Sequence, residues 1–101
     1  MIIHDLKCWP SSFLPIVAGY KKAEFRLGDR DYKRNDFLLL REWMPADNPD
    51  ELEASDWVLT PGYTGNVQLV QVTHVLHGPA FGVPDGYVML SFNLMQVTVA
   101  P

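Results

Sequence analysis

Lysine, glutamate and arginine stand three and then two residues apart in Gly19-x-Lys21-x-x-Glu24-x-Arg26. If this stretch is extended, Glu24 and Arg26 project from one strand face while Lys21 sits at the bend before them. Such a trio can read a polar heterocycle, because a carboxylate accepts from exocyclic N–H groups and a guanidinium donates to carbonyl or phosphate oxygens. The same spacing also suits a solvent-exposed ion-pair ladder, worth about 0–1 kcal/mol. Asp29-Arg30-Asp31-Tyr32 follows. Either it extends the site, with Arg30 on phosphate and Tyr32 as a stacking face, or it is a charged turn in which the two aspartates cap backbone N–H groups. Tyr63-Thr64-Gly65 reads as a turn whose Tyr63 and Thr64 reach a ligand if the turn overhangs the same site.

Six of the eight basic side chains lie between Lys21 and Arg34, where only Glu24, Asp29 and Asp31 are acidic. That stretch therefore carries +3, and with a whole-chain charge of −4 the remainder carries −7. Cations concentrated in this way suit an anionic or polar ligand. The acidic total argues against sequence-independent duplex binding, which depends on many cationic contacts to phosphate. One nucleotide or a short strand remains within reach.

Other residue types offer less chemistry. His4, His74 and His77 are too scattered for a metal site, and His74 and His77, three apart on a strand, point to opposite faces. No metal or cofactor is expected. Cys8, the single cysteine, reads as a small buried apolar residue. Trp9, Trp43 and Trp57 read as core or lid residues. P-loop, dinucleotide-binding and nucleophile-elbow motifs are absent from the sequence.

The elements that must position these residues follow from pattern and punctuation. Met1 to Lys7 reads as a short strand. Pro10 to Gly19 reads as a short helix with Ser11 or Ser12 as N-cap, Pro15 in its first turn, Gly19 as its left-handed stop, and Phe13, Ile16 and Val17 on its core face. Lys22 to Leu27 alternates, with Ala23 and Phe25 on one face and Lys22, Glu24 and Arg26 on the other. Turns are expected at Gly28-Asp29 and Asn35-Asp36, since Asn tolerates φ > 0. Asp36 to Trp43 reads as a central apolar strand. Asn66 to His77 is a long strand with a bulge between Leu69 and Val70, where its apolar residues change face. Tyr87 to Val99 is a closing strand with Val88, Leu90, Phe92 and Leu94 inward. Between Met44 and Gly62, prolines alternate with five acidic residues, which reads as an acidic surface insertion.

The 101 residues make one domain with a core of its own. The order predicts an α+β, mainly β fold, a small and partly closed β-barrel with a short N-terminal helix. One cysteine and an N-terminal apolar run broken at Lys7 point to the reducing cytosol, and no window reaches the roughly 18 apolar residues of a membrane span.

In order and spacing, several of these residues resemble a small phage and bacterial family of ASCH-like domains within the wider PUA-like group. They are His4-x-Leu6-Lys7, Pro10-x-x-Phe13, the Gly19 to Arg26 element, Asp29-Arg30-Asp31-Tyr32, Asp36, Tyr63-Thr64-Gly65, Val72-Thr73 and Gly86-Tyr87-Val88-x-Leu90. The match covers nearly the whole chain outside residues 44 to 61. It implies a small β-barrel with a cleft lined by the Gly19 to Arg26 element. PUA-like domains commonly bind RNA, often with modified or flipped-out bases. Some ASCH proteins hydrolyse an acyl amide on a modified cytidine with the lysine of this element, a threonine and a distant glutamate. Lys21 matches that lysine, but Glu24 stands where those hydrolases carry threonine. Asn35 stands where the family usually has Gly.

The function expected first is an RNA- or nucleotide-binding module in which Lys21, Arg26 and Arg30 meet phosphate or carbonyl oxygens and Glu24 reads a base edge. The alternative is an amidohydrolase on an N-acylated cytidine-type nucleoside, with Lys21 as its catalytic group. A third reading gives the acidic stretch, residues 44 to 62, to a protein partner.

Overall fold

The computed structural model describes residues 1–44 and 62–96. The acidic insertion, apart from its end residues, lies outside them, as do Trp57 and the last stretch of the expected closing strand. Among the described residues the chain runs β1 (Ile3–Cys8), α1 (Pro10–Val17), β2 (Ala23–Leu27), β3 (Phe37–Met44), β4 (Gly62–His77) and β5 (Tyr87–Leu94). The five strands form one mainly β sheet in the order β1-β3-β4-β5-β2, curled into a half-barrel with the single short helix. β1 runs parallel to β3, and every other pairing is antiparallel.

Period-two alternation selects the inner face. His4, Leu6 and Cys8 on β1 are buried, as are Leu38, Leu40 and Glu42 on β3, and Val88, Leu90 and Phe92 on β5. Phe13 and Ile16 of α1 close over this surface and join its core cluster. On β1 and β3 the apolar middle is flanked by polar ends, with His4 beside the start of β3 and Cys8 in register with Glu42.

α1 departs from its expected start. Trp9 is the N-cap without a side-chain cap bond, Pro10 takes the first turn, and Pro15 lies inside the helix. Proline at the first helical position needs no N–H partner, so the chain enters the helix earlier than the serines suggested. Val17 is exposed. The stop is as expected: Gly19 has φ +84°, and the N–H groups of Gly19 and Tyr20 donate to Ile16 and Pro15 carbonyls at 3.0 Å each. This is the Schellman closure, and it sends the chain directly into Lys21.

Three further strand expectations are corrected. β4 starts at Gly62, so Tyr63-Thr64-Gly65 lies within the strand and is not a turn. The bulge falls between Val72 and His74, opposite Phe92 and Ser91 of β5, because β5 pairing and not apolar order decides where the extra residue goes. β5 ends at Leu94, whose side chain is exposed. Asn35 adopts φ +76°, as the expected turn requires.

β1 and β2 are the two edges of the sheet and do not pair with each other. Side chains span the seam between them in antiparallel order: Glu24 reaches Cys8, Arg26 reaches the Lys7 carbonyl, and Tyr32 beyond β2 packs on His4. The curled sheet thus brings its edges close enough for side-chain contact.

Candidate functional site: the seam between β1 and β2

Glu24 is the hinge of the seam. It points inward from an edge strand and is 6% exposed, while its neighbour Phe25 is 43% exposed and stacks on Tyr87 across the outer face. The charged face of this strand is therefore the inner one. One Glu24 oxygen lies 3.1 Å from Lys21 Nζ and the other 3.5 Å from Arg26 Nη2. The Cys8 thiol points at the same carboxylate from β1, with Sγ 3.7 Å from Oε2. Lys21 also donates to Ser12 Oγ of α1 at 3.0 Å, and Arg26 donates to the Lys7 carbonyl at 2.6 Å. The cluster ties β2 to both β1 and α1.

Burial pushes the Cys8 thiol up to about 12, with the Glu24 carboxylate adding to the effect. A thiol so placed stays protonated at neutral pH, and its reactivity is low because the thiolate is the nucleophile. The Lys21 ammonium has the Glu24 carboxylate and the Ser12 hydroxyl as partners.

Beside this cluster a cleft of about 350 Å³ opens along the outer edge of β1, lined by Asp5, Leu6 and Lys7 on one side and by Arg26, Leu27, Asp29, Arg30 and Tyr32 on the other, with Tyr63 at its end. Three cations and two carboxylates face one space. The Phe37 N–H donates to the Ile2 carbonyl, so alternate peptide groups of β1 serve β3 and those of Asp5 and Lys7 turn to the cleft. Arg26 takes the Lys7 carbonyl through Nη2. A guanidinium has five N–H donors, so Arg26 retains others for a ligand.

The expected site residues are therefore sorted into two groups. Arg26, Arg30, Tyr32 and Tyr63 line the cleft; Lys21 and Glu24 do not. Lys21 instead borders a separate hollow of about 340 Å³ with Gly19, Lys22 and Phe92. Tyr32 is 4% exposed, its ring 4.8 Å from that of His4, so it forms wall and not a free stacking face. Thr64 is turned from the cleft toward Glu42, to which its hydroxyl donates at 2.8 Å. Asp31 pairs with Lys33 at 3.4 Å on the surface.

Two buried carboxylates escaped the sequence reading as site residues. Glu42 accepts from Thr64 and, at 3.1 Å, from the Asn66 amide. Its inward position follows from Leu40 and Leu38, two and four residues earlier, an alternation hidden by the intervening Leu39. Asp36 accepts from His4 Nε2 at 2.9 Å and from the Ile2 and Lys33 N–H groups at 3.1 Å. Burial would raise the Asp36 carboxyl, but these hydrogen bonds outweigh it and hold the group below its ordinary range. The Asp36 bonds fasten the N-terminus and the turn before β3, and so fix one end of the cleft. Among the described residues, no three His, Cys, Asp or Glu side chains are grouped to hold a metal ion, and no helix is long and apolar enough to cross a membrane.

A family model described as a domain of unknown function (DUF3850) matches residues 3–92. The chain belongs to that family. The match takes in both edge strands, the seam and every lining residue of the cleft. The chain is also similar to an uncharacterised 12.9 kDa protein from the GpA 3′ region of Escherichia phage P2, with 37% identity over 65 residues. That similarity covers 55% of this chain and 60% of the phage protein, so the chain spans less than two thirds of that relative's length.

Two outcomes follow from this geometry. Glu24→Ala leaves Lys21 and Arg26 facing each other without their shared carboxylate and costs about 2–4 kcal/mol of stability, the lower end reflecting the partial exposure of Lys21; urea denaturation of the two proteins measures it. For Asp36 the folded pKa is depressed, so its contribution is complete above about pH 4, the unfolded value, and is lost as pH falls through the folded one. Melting temperatures followed downward from pH 5 should drop for the parent protein and stay flatter for Asp36→Asn, which is less stable at pH 7.

Proposed function

We propose that this chain is a binding module for RNA or a nucleotide, and that the cleft between β1 and the segment from Arg26 to Tyr32 is where the ligand sits. The cleft itself is the observation that carries the reading. Its volume is at the lower end of small-molecule pockets, with room for about one nucleotide. Arg26 and Arg30 offer charge-assisted donors for phosphate or carbonyl oxygens. Asp5, Asp29 and the outward peptide groups of β1 supply acceptors and donors for a base edge, and Tyr63 supplies an aromatic wall. The ASCH-like and PUA-like relationship suggested by the sequence agrees with this assignment, and with a cytosolic setting in which RNA is encountered and Cys8 remains a thiol.

Glu24 has a different part from the one its spacing suggested. It is the counter-ion that holds Arg26 in place, so it is a positioning residue and Arg26 is the contact. The hydrolase alternative has less support, because Lys21 is engaged by Glu24 and Ser12 and lies outside the cleft.

Titration with single-stranded RNA oligonucleotides and nucleoside monophosphates should show saturable binding. Arg30→Ala should weaken it about tenfold, the scale of one charge-assisted hydrogen bond, without loss of stability, since Arg30 takes no part in the seam contacts among the described residues. No binding to any of these ligands would sink the proposal. Incubated at high protein concentration, N4-acetylcytidine should remain intact by chromatography; deacetylation that Lys21→Ala abolishes would establish the hydrolase reading instead.

A further inference from the structure

An aromatic and basic patch adjoins the cleft at Tyr63. On the outer face of β1, β3 and β4, Lys7, Arg41, Trp43 and Tyr63 form a cross-strand group, because Lys7 is in register with Arg41 and Trp43 with Tyr63. The rings of Trp43 and Tyr63 meet edge to face at 4.9 Å. Lys7 Nζ stands 4.0 Å from the Trp43 ring centre, and the Arg41 guanidinium 3.7 Å from that of Tyr63. Arg41 is held in turn by Asp5 at 3.3 Å. Tyr63 is 44% exposed, and Trp43, expected as a core or lid residue, is partly covered.

These two aromatic residues do not share one space. Tyr63, Asp5 and Lys7 line the cleft, whereas Trp43 lies beyond it. Aromatic rings interleaved with cations next to a cleft that carries arginines are a usual means of holding a single strand, because every base has a face to stack and every phosphate a charge to neutralise. A mononucleotide filling the cleft would leave Trp43 unused. The register shift between Arg41 and Trp43 re-aims the strand at this point, as bulges beside binding sites do.

Resting on the nucleotide-binding reading above, we propose that the ligand is a single-stranded RNA of at least two nucleotides, with one base at Tyr63 in the cleft and its neighbour stacked at Trp43. Lys7 and Arg41 lie over the rings and flank the connecting phosphate. The site thereby favours a strand over a free nucleotide.

Calorimetric titration of the whole chain with a nucleoside 5′-monophosphate and with short single-stranded RNA of mixed sequence tests this. The RNA should bind about tenfold more tightly per site, the scale of one base-stacking contact. Trp43→Ala should remove that advantage, while Trp43→Phe retains most of it. Equal affinity of the parent protein for the two ligands overturns the two-base site but leaves the nucleotide-binding reading standing, and this comparison needs no variant to fold. An RNA advantage that survives in folded Trp43→Ala also overturns it. No binding of either ligand overturns both.

Discussion

A carboxylate withdrawn from water between two strand edges that do not pair with each other is the constraint around which this molecule is organised. Isolated at that position, Glu24 would cost several kcal/mol. Lys21 from the helix exit, Arg26 two residues along the same strand and the Cys8 thiol from the opposite edge compensate for its burial. Each of these partners comes from a different place in the chain. Satisfying one buried charge therefore fixes the end of α1, the depth of β2 and its distance from β1. The sheet could otherwise open there, because no backbone ladder joins β1 to β2.

The same arrangement creates the cleft. Side chains that bridge a seam leave gaps that backbone pairing would close, and the outward peptide groups of β1 stay available where Arg26 does not take them. Arg26 belongs to both systems: Nη2 closes the seam, and its other donors make no hydrogen bond among the described residues. At the far end Asp36 performs a comparable service, drawing His4, the N-terminal strand and the turn before β3 together under Tyr32. The cleft is thus a consequence of half-closure, held at both ends by buried carboxylates and lined between them by mixed charge.

Much of the architecture was legible because it depends on local chemistry. Gly19 after an apolar helical face marks the stop, Asn35 marks a left-handed turn, and alternation in β2 and β5 marks strands. The departures are also physical. Pro10 starts the helix without a side-chain cap, so the serines beside it have no N-cap to form. The apolar order of β4 points to a bulge between Leu69 and Val70, whereas the bulge position is set by what β5 offers across the ladder. Leu39 masked the alternation of β3, and with it the inward turn of Glu42.

The pairing of charges near residues 21 to 26 follows from residue order alone: the Glu24 and Arg26 spacing puts both on one strand face whatever the rest of the chain does, because the strand period is two. Residue order does not determine which way that face looks. By hydropathy alone, apolar Ala23 and Phe25 are the better candidates for the interior, and Phe25 is instead outside on Tyr87. Only the closed curvature of the sheet decides this, since β1 and α1 bring Cys8, Ser12 and the Lys7 carbonyl to meet the charged face and make its burial tolerable. The separation of Lys21 and Glu24 from the cleft that Arg26 and Arg30 share has the same origin, because it depends on where two distant edges meet.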